Sequence, residues 1–134
     1  MSRENVAVVE NALNALASDG LDALAEYWTD DVDHRAIEGA LDDRGPMHGK
    51  DALRAYVRDW LDTFDDFRTE PVELIDAGED KVIAVQRVSG RAKLSGVETD
   101  LTYAVLYTIR DGKIARGREY AARDEALKAA GLRE

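Results

Sequence analysis

Residues 99–120 read TDLTYAVLYTIRDGKIARGREY. Thr99 to Ile109 is a long run rich in β-branched and aromatic residues, and Lys113 to Tyr120 is a second, shorter one. Arg110-Asp111-Gly112 between them is a hairpin signal, because aspartate and glycine accept the positive φ of a tight turn. Working backwards, Ser95-Gly96 turns the chain out of another long strand, Lys81 to Lys93. Ala77-Gly78-Glu79-Asp80 turns it out of a strand beginning near Val72 and Leu74. The period is two from Phe67 onward, which makes the second half of the chain an antiparallel meander.

The first half has a different rhythm. Val6, Val9, Leu13 and Leu16 recur at steps of three and four, one face of a helix that Asp19-Gly20 stops. Leu21, Leu24, Ala25 and Trp28 form a second, short stripe, broken by Thr29-Asp30-Asp31, and Val32 to Ile37 can run as a short strand. Glu38 to Gly49, with three glycines and a proline, reads as a loop. Leu53, Tyr56, Val57, Trp60, Leu61 and Phe64 then fall on one helical stripe, read as core packed across a sheet. Residues 124–130 close with a helical turn stopped by Gly131. Helices first and a meander after define an α+β fold, not a doubly wound parallel one.

With 134 residues and no cysteine, the chain is expected to form a single domain, 1–134, with an ordinary hydrophobic core. The absence of thiols excludes disulfides, thiol catalysis and cysteine-ligated metal, and the two histidines are not at a metal-ligand spacing. A net charge of −10 without a basic stretch argues against nucleic acid and against anionic membranes. There is no apolar run of membrane-spanning length and no signal-peptide pattern at Met1 to Asn5, so a cytoplasmic location is expected.

Four landmarks recur together: Asp19-Gly20-Leu21-Asp22-Ala23-Leu24, Trp28-Thr29-Asp30-Asp31-Val32, His48-Gly49-Lys50-Asp51-Ala52-Leu53 and Arg110-Asp111-Gly112-Lys113-Ile114. In this order they resemble the nuclear transport factor 2-like superfamily, and within it the SnoaL-like branch, over nearly the whole chain. The resemblance implies a cone-shaped, cystatin-like half-barrel: a curved antiparallel sheet and N-terminal helices around a mostly apolar pocket. It also implies homodimerisation through the outer sheet face, where Leu106, Thr108, Arg116 and Arg118 would lie. Members include cyclases, isomerases, epoxide hydrolases and non-catalytic binding domains, so function has to be read from the site.

Three templates differ in what this chain keeps. The positions matching the ketosteroid isomerase groups are Ala12, Ala36 and Val105, which carry no such chemistry. Arg87-Val88-Ser89 resembles the Arg-x-Asp step of limonene epoxide hydrolase with serine in place of the acid, while Glu119 falls at its other aspartate and His34 and Ala36 at its tyrosine and asparagine. SnoaL-type cyclases use an acid on the last strand, where Glu119 is similar in position.

The candidate catalytic residues are therefore Glu119, to transfer a proton; Arg87, to orient it or steady an oxyanion; and His34, whose imidazole can titrate near neutrality. Tyr103, Val105, Tyr107, Ser89 and Trp60 are expected to line the pocket. No cofactor and no metal is expected, and the partner is a small apolar or cyclic molecule. The bland alternative for each ionisable group is a satisfied structural pair. The facing of Glu119 rests on the hairpin. A two-residue turn sets it opposite Ala104; a three-residue loop with a glycine bulge, which the resemblance favours, sets it opposite Tyr103.

Overall fold

The structure, a computed structural model, describes residues 2–132. Helix α1 spans Ser2–Asp19 and buries Val9, Ala12 and Leu13. It stops at Gly20, whose φ of 93° lets its N–H reach back to the carbonyls of Ala15 and Leu16 at 3.1 and 3.2 Å. Helix α2 is short, Leu21–Ala25. Trp28 does not extend its stripe, as the spacing predicts; it opens strand β1, Trp28–Arg35. Thr29-Asp30-Asp31 is not a helix stop but an irregularity inside that strand, where the pairing to its neighbour slips between Trp28 and Asp33.

After the loop 36–46 come β2, Met47–His48, and helix α3, Lys50–Thr63, which buries Leu53 and Tyr56. Strand β3, Phe64–Asp76, begins directly at the end of α3, earlier than the expected start near Val72. Its opening half is hard to read from sequence because charged residues cover it and Asp66, at φ 53°, breaks the alternation. Strands β4 (Lys81–Ala92), β5 (Glu98–Arg110) and β6 (Lys113–Tyr120) complete the meander, and α4, Arg123–Ala129, follows. The sheet order is β2-β1-β6-β5-β4-β3, with β1 joining β6 in parallel and every other pair antiparallel.

Alternation along β4 and β5 splits the core in two. Val82, Ala84, Val105, Tyr107 and Ile109 point inward against α1, α2 and α3 and close the cone. Ile83, Val85, Ala104 and Leu106 point outward and are covered by Ala126 and Leu127 of α4. Leu106, expected on the outer face as part of a dimer interface, thus lies under α4, and Arg118 is tied to Asp33 at 3.0 Å; Thr108 is half-buried and Arg116 is exposed.

The hairpin differs from both expected forms. Arg110 pairs with Lys113 across a two-residue turn in which Asp111 (φ 53°) and Gly112 (φ 75°) are both left-handed, the geometry of a type I′ turn. Ile109 pairs with Ile114, but Thr108 pairs with Arg116, so Ala115 is an extra residue held in a β-bulge. The bulge moves Glu119 opposite Val105 rather than Ala104 or Tyr103, and so onto the inward face. Among the described residues no helix is long and apolar enough to cross a membrane.

Candidate functional site

The inward face of the sheet and α1, α2 and α3 enclose a cavity of about 390 Å³, within the range of small-molecule sites. Most of its wall is apolar: Val9, Leu13, Leu24, Trp28, Leu53 and Val105 among others. Its polar groups fall into two clusters.

The first cluster gathers on Glu119. Its side chain retains 9% exposure, and its Oε2 lies 2.7 Å from Nε2 of His34. Topology brings the two together. His34 of β1 pairs with Gly117 of the parallel strand β6, two residues before Glu119. Gly117 is where the imidazole lies: a Cβ there would stand 2.8 Å from His34 Cε1, closer than real Cβ contacts allow. Tyr56 of α3 sits 3.0 Å from the same Glu119 oxygen and 3.0 Å from Oδ2 of Asp42, while Trp60 donates its indole N–H to that Asp42 oxygen at 3.1 Å. Tyr56 has one proton and two carboxylate oxygens in reach, so the pair Asp42 and Glu119 shares a single hydroxyl donor. Burial, followed by the charges of Glu119 and Asp42, holds the Tyr56 phenol well above its ordinary value, so it stays a donor. Among the described residues, none hydrogen-bonds to Oε1 of Glu119.

Asp42 reaches the cavity because the loop 36–46 is pinned at both sides. The Asp43 carboxylate accepts from Arg35 at 3.1 Å and from the backbone N–H groups of Gly39 and Gly45 at 2.9 Å each. These donors, Arg35 first, hold Asp43 far below the usual carboxylate range. Arg44 pairs with Asp59 of α3 at 2.8 Å and stacks over the Tyr56 ring, 5.4 Å from its centroid.

The second cluster is Gln86, Tyr103 and Tyr107. Tyr107 donates its O–H to Gln86 Oε1 at 2.8 Å, and Gln86 Nε2 donates to the Tyr103 oxygen at 3.2 Å. Burial above all, then the charge of Glu119, raises both tyrosines above their ordinary values.

Of the residues singled out from sequence, Glu119, His34, Tyr103, Val105, Tyr107 and Trp60 all border the cavity. Arg87 and Ser89 do not. On β4 the inward positions are Gln86 and Val88, and strand alternation turns their odd-numbered neighbours outward. Arg87 is exposed and held by Asp100 at 2.6 and 2.8 Å, with Glu70 at 3.7 Å; these partners raise its pKa further. It therefore neither orients Glu119 nor faces a ligand, a correction to the expectation of an inward guanidinium. His48 lies beside Asp33 on the outer side at 3.5 Å, 74% exposed. Sequence reading misses three members of the two polar clusters. Gln86 carries a signal, an amide in the apolar run Val82 to Val88. Tyr56 is absorbed into the core stripe of α3, and nothing in the local pattern marks Asp42.

A family model described as a SnoaL-like domain matches residues 9–117. No curated protein matches the chain. Among solved structures, a Burkholderia pseudomallei protein described as NTF2-like and of unknown function superposes with a TM-score of 0.76 at 17% identity, covering 93% of this chain and 95% of its own. A Mycobacterium tuberculosis protein in complex with estradiol-17β-hemisuccinate gives 0.75 at 14% identity, covering 90% and 95%. A Catenulispora acidiphila protein with a ketosteroid isomerase-like fold, in complex with trimethylamine, gives 0.71 at 16% identity, covering 94% and 93%. At these identities the likeness speaks to the fold.

Proposed function

The chain belongs to the SnoaL-like domain family, and from that premise we propose that it binds a small, largely apolar or cyclic molecule in its cavity and moves a proton on it without a cofactor. One observation carries the reading. Glu119 sits on the cavity wall with both hydrogen-bonding neighbours, His34 and Tyr56, on Oε2, which leaves Oε1 without a hydrogen bond among the described residues and available to a ligand. In this mechanism Oε1 of Glu119 exchanges the proton with substrate. His34 fixes the carboxyl rotamer through Nε2 and shares its charge. Tyr56 links the same carboxyl to Asp42, so a proton has a second carboxylate to reach along one hydroxyl. The apolar walls exclude water and strengthen each of these contacts.

Relatives of the same fold support the ligand half of this reading, two of them being complexes with small organic molecules. A second reading, a binding domain without catalysis, is favoured by the engagement of Oε2 from two sides, the pattern of a self-satisfied structural cluster. The test begins with thermal shifts of wild type and Glu119→Gln against small terpenoid, steroid and polyketide-like compounds. Compounds that raise the wild-type Tm are then incubated in D₂O, and deuterium incorporation is followed by mass spectrometry. Incorporation by wild type and by Arg87→Gln, but not by Glu119→Gln, is the expected result. Binding with no incorporation in any variant would leave only the binding domain, and the absence of any binder would remove both readings.

A further inference from the structure

A small, apolar ligand on which Glu119 moves a proton still needs a polar group to orient it, and the second polar cluster supplies one; the carbonyl site proposed here rests on the pocket function. Gln86, Tyr103 and Tyr107 form a chain of donors with a direction. The contact between Tyr107 and Gln86 Oε1 is 2.8 Å, typical of O–H···O, and the contact between Gln86 Nε2 and the Tyr103 oxygen is 3.2 Å, at the long end for N–H···O. Both lengths fit the amide as placed: Tyr107 gives its proton to the amide oxygen, and the amide gives one of its own to Tyr103. Gln86 is 4% exposed and Tyr107 9%, so this end of the chain is locked in the wall. Tyr103 is the last member and borders the cavity. It accepts from Gln86, and among the described residues no acceptor receives its own O–H.

Tyr103 also stands close to the acid/base cluster. Glu119 pairs across the strands with Val105, and Tyr103 is two residues along β5 on the same face. That diagonal spans about 7–8 Å between Cα atoms, within reach of a tyrosine and a glutamate directed into one cavity.

We propose that Tyr103 is the recognition donor for a neutral carbonyl oxygen on the ligand, presented by the Tyr107–Gln86–Tyr103 chain. A carbonyl only accepts, so it ends the chain with no proton left over; a hydroxyl would bring a proton that draws on Glu119, the acceptor the reacting position needs. A carboxylate is disfavoured because the negative charge of Glu119 already bears on both tyrosines. The substrate class is therefore an uncharged, mostly hydrocarbon ketone, aldehyde or ester, its carbonyl at Tyr103 and its reacting position toward Glu119.

The probes are 2-tetralone and its oxygen-free parent, tetralin, which share a ring system and differ by the carbonyl. Affinities are measured by calorimetry for wild type and for Tyr103→Phe, which keeps the ring and removes one oxygen. The ratio of tetralone to tetralin affinity is expected to fall roughly tenfold in Tyr103→Phe, the size of one hydrogen bond in an apolar site. The carbonyl infrared stretch of bound tetralone should lie at lower frequency in wild type than in the variant, a shift that loss of packing alone does not produce. If Tyr103→Phe melts, Gln86→Met replaces it; Tyr103 then keeps its O–H but loses the partner that aims it, and a smaller fall in the same ratio is expected. An unchanged ratio with both compounds still bound overturns the carbonyl site and leaves the pocket function standing. Failure of wild type to bind either compound removes the pocket function for this ligand size and the carbonyl site with it.

Discussion

Replacing Gly117 by alanine tests whether the imidazole of His34 lies where the structure puts it. The new methyl would stand 2.8 Å from Cε1 of His34, with Tyr107 Cε1 at an ordinary 3.5 Å. The ring cannot yield cheaply, because it is buried and its Nε2 is held 2.7 Å from Glu119. Overpacking of this kind costs about 1–3 kcal/mol, against which the stiffer unfolded chain of an alanine returns about 0.4–1 kcal/mol. If the ring swings away instead, the loss is the hydrogen bond to a carboxylate, about 1.5–3 kcal/mol. Either route leaves a net destabilisation of about 1.5 kcal/mol, which for a domain of this size lowers Tm by roughly 4–8 °C. Urea and thermal unfolding of four proteins measure it: wild type, Gly117→Ala, His34→Ala and the double variant. In the His34→Ala background the methyl no longer meets the imidazole and keeps only its ordinary contact with Tyr107, so Gly117→Ala should there be neutral or slightly stabilising, and the coupling between the sites should be about 2 kcal/mol. A Gly117→Ala protein as stable as wild type, or equal effects in both backgrounds, would refute the placement of His34 over the glycine and the geometry built on it.

Three further outcomes are expected. Asp43→Ala should release the loop 36–46, and trypsin should then cut after Arg44 several times faster than in wild type while the domain itself stays folded; equal cleavage rates would mean the loop is held by something else. The same carboxylate, depressed in the folded protein by Arg35, Gly39 and Gly45, gives stabilisation that is whole above its ordinary value of 3.8 and is lost as pH falls below it, a loss that Asp43→Asn should not show when urea midpoints are followed into acid. At the other end of the scale, Tyr56, Tyr103 and Tyr107 are held protonated above their ordinary value of 10.0. The unfolded chain ionises them first and binds fewer protons, so stability should fall as pH rises beyond 10, by at most about 4 kcal/mol per pH unit if all three stay protonated. Tyr103→Phe should flatten that slope by one proton, measured by urea midpoints across alkaline pH, and an unchanged slope would count against its burial as a neutral phenol.

Element types are legible in the sequence wherever a period is clean. The apolar faces of α1 and α3 and the runs of β4 and β5 carry their structure in their spacing, because burial on one side demands it. Trp28 misleads because a large apolar residue four positions after Leu24 fits a helical stripe as well as a strand start, and only tertiary pairing with Ile114 decides. The first half of β3 is hidden by its charges. At the cavity, Glu119 and His34 are reached through the resemblance of their strand positions to the family templates, whereas Arg87 falls on the wrong face because one residue of phase separates it from Gln86. Asp42 cannot be found this way. Its place depends on how Asp43 and Arg44 anchor a loop to Arg35 and Asp59, contacts between residues that no local pattern relates.

Ala115 sets how this domain tolerates change in length. The bulge is a stored residue: with it, Thr108 meets Arg116 and Tyr107 meets Gly117, and without it the same partners would meet across a regular ladder. Deleting Ala115 would straighten β6 and keep Glu119 toward the cavity, whereas deleting any one residue from Arg116 to Arg118 would draw on the same slack or exchange the two faces of the strand end. The site thus has a one-residue margin upstream of its carboxylate, and drift in the hairpin can be absorbed there without turning the chemistry inside out.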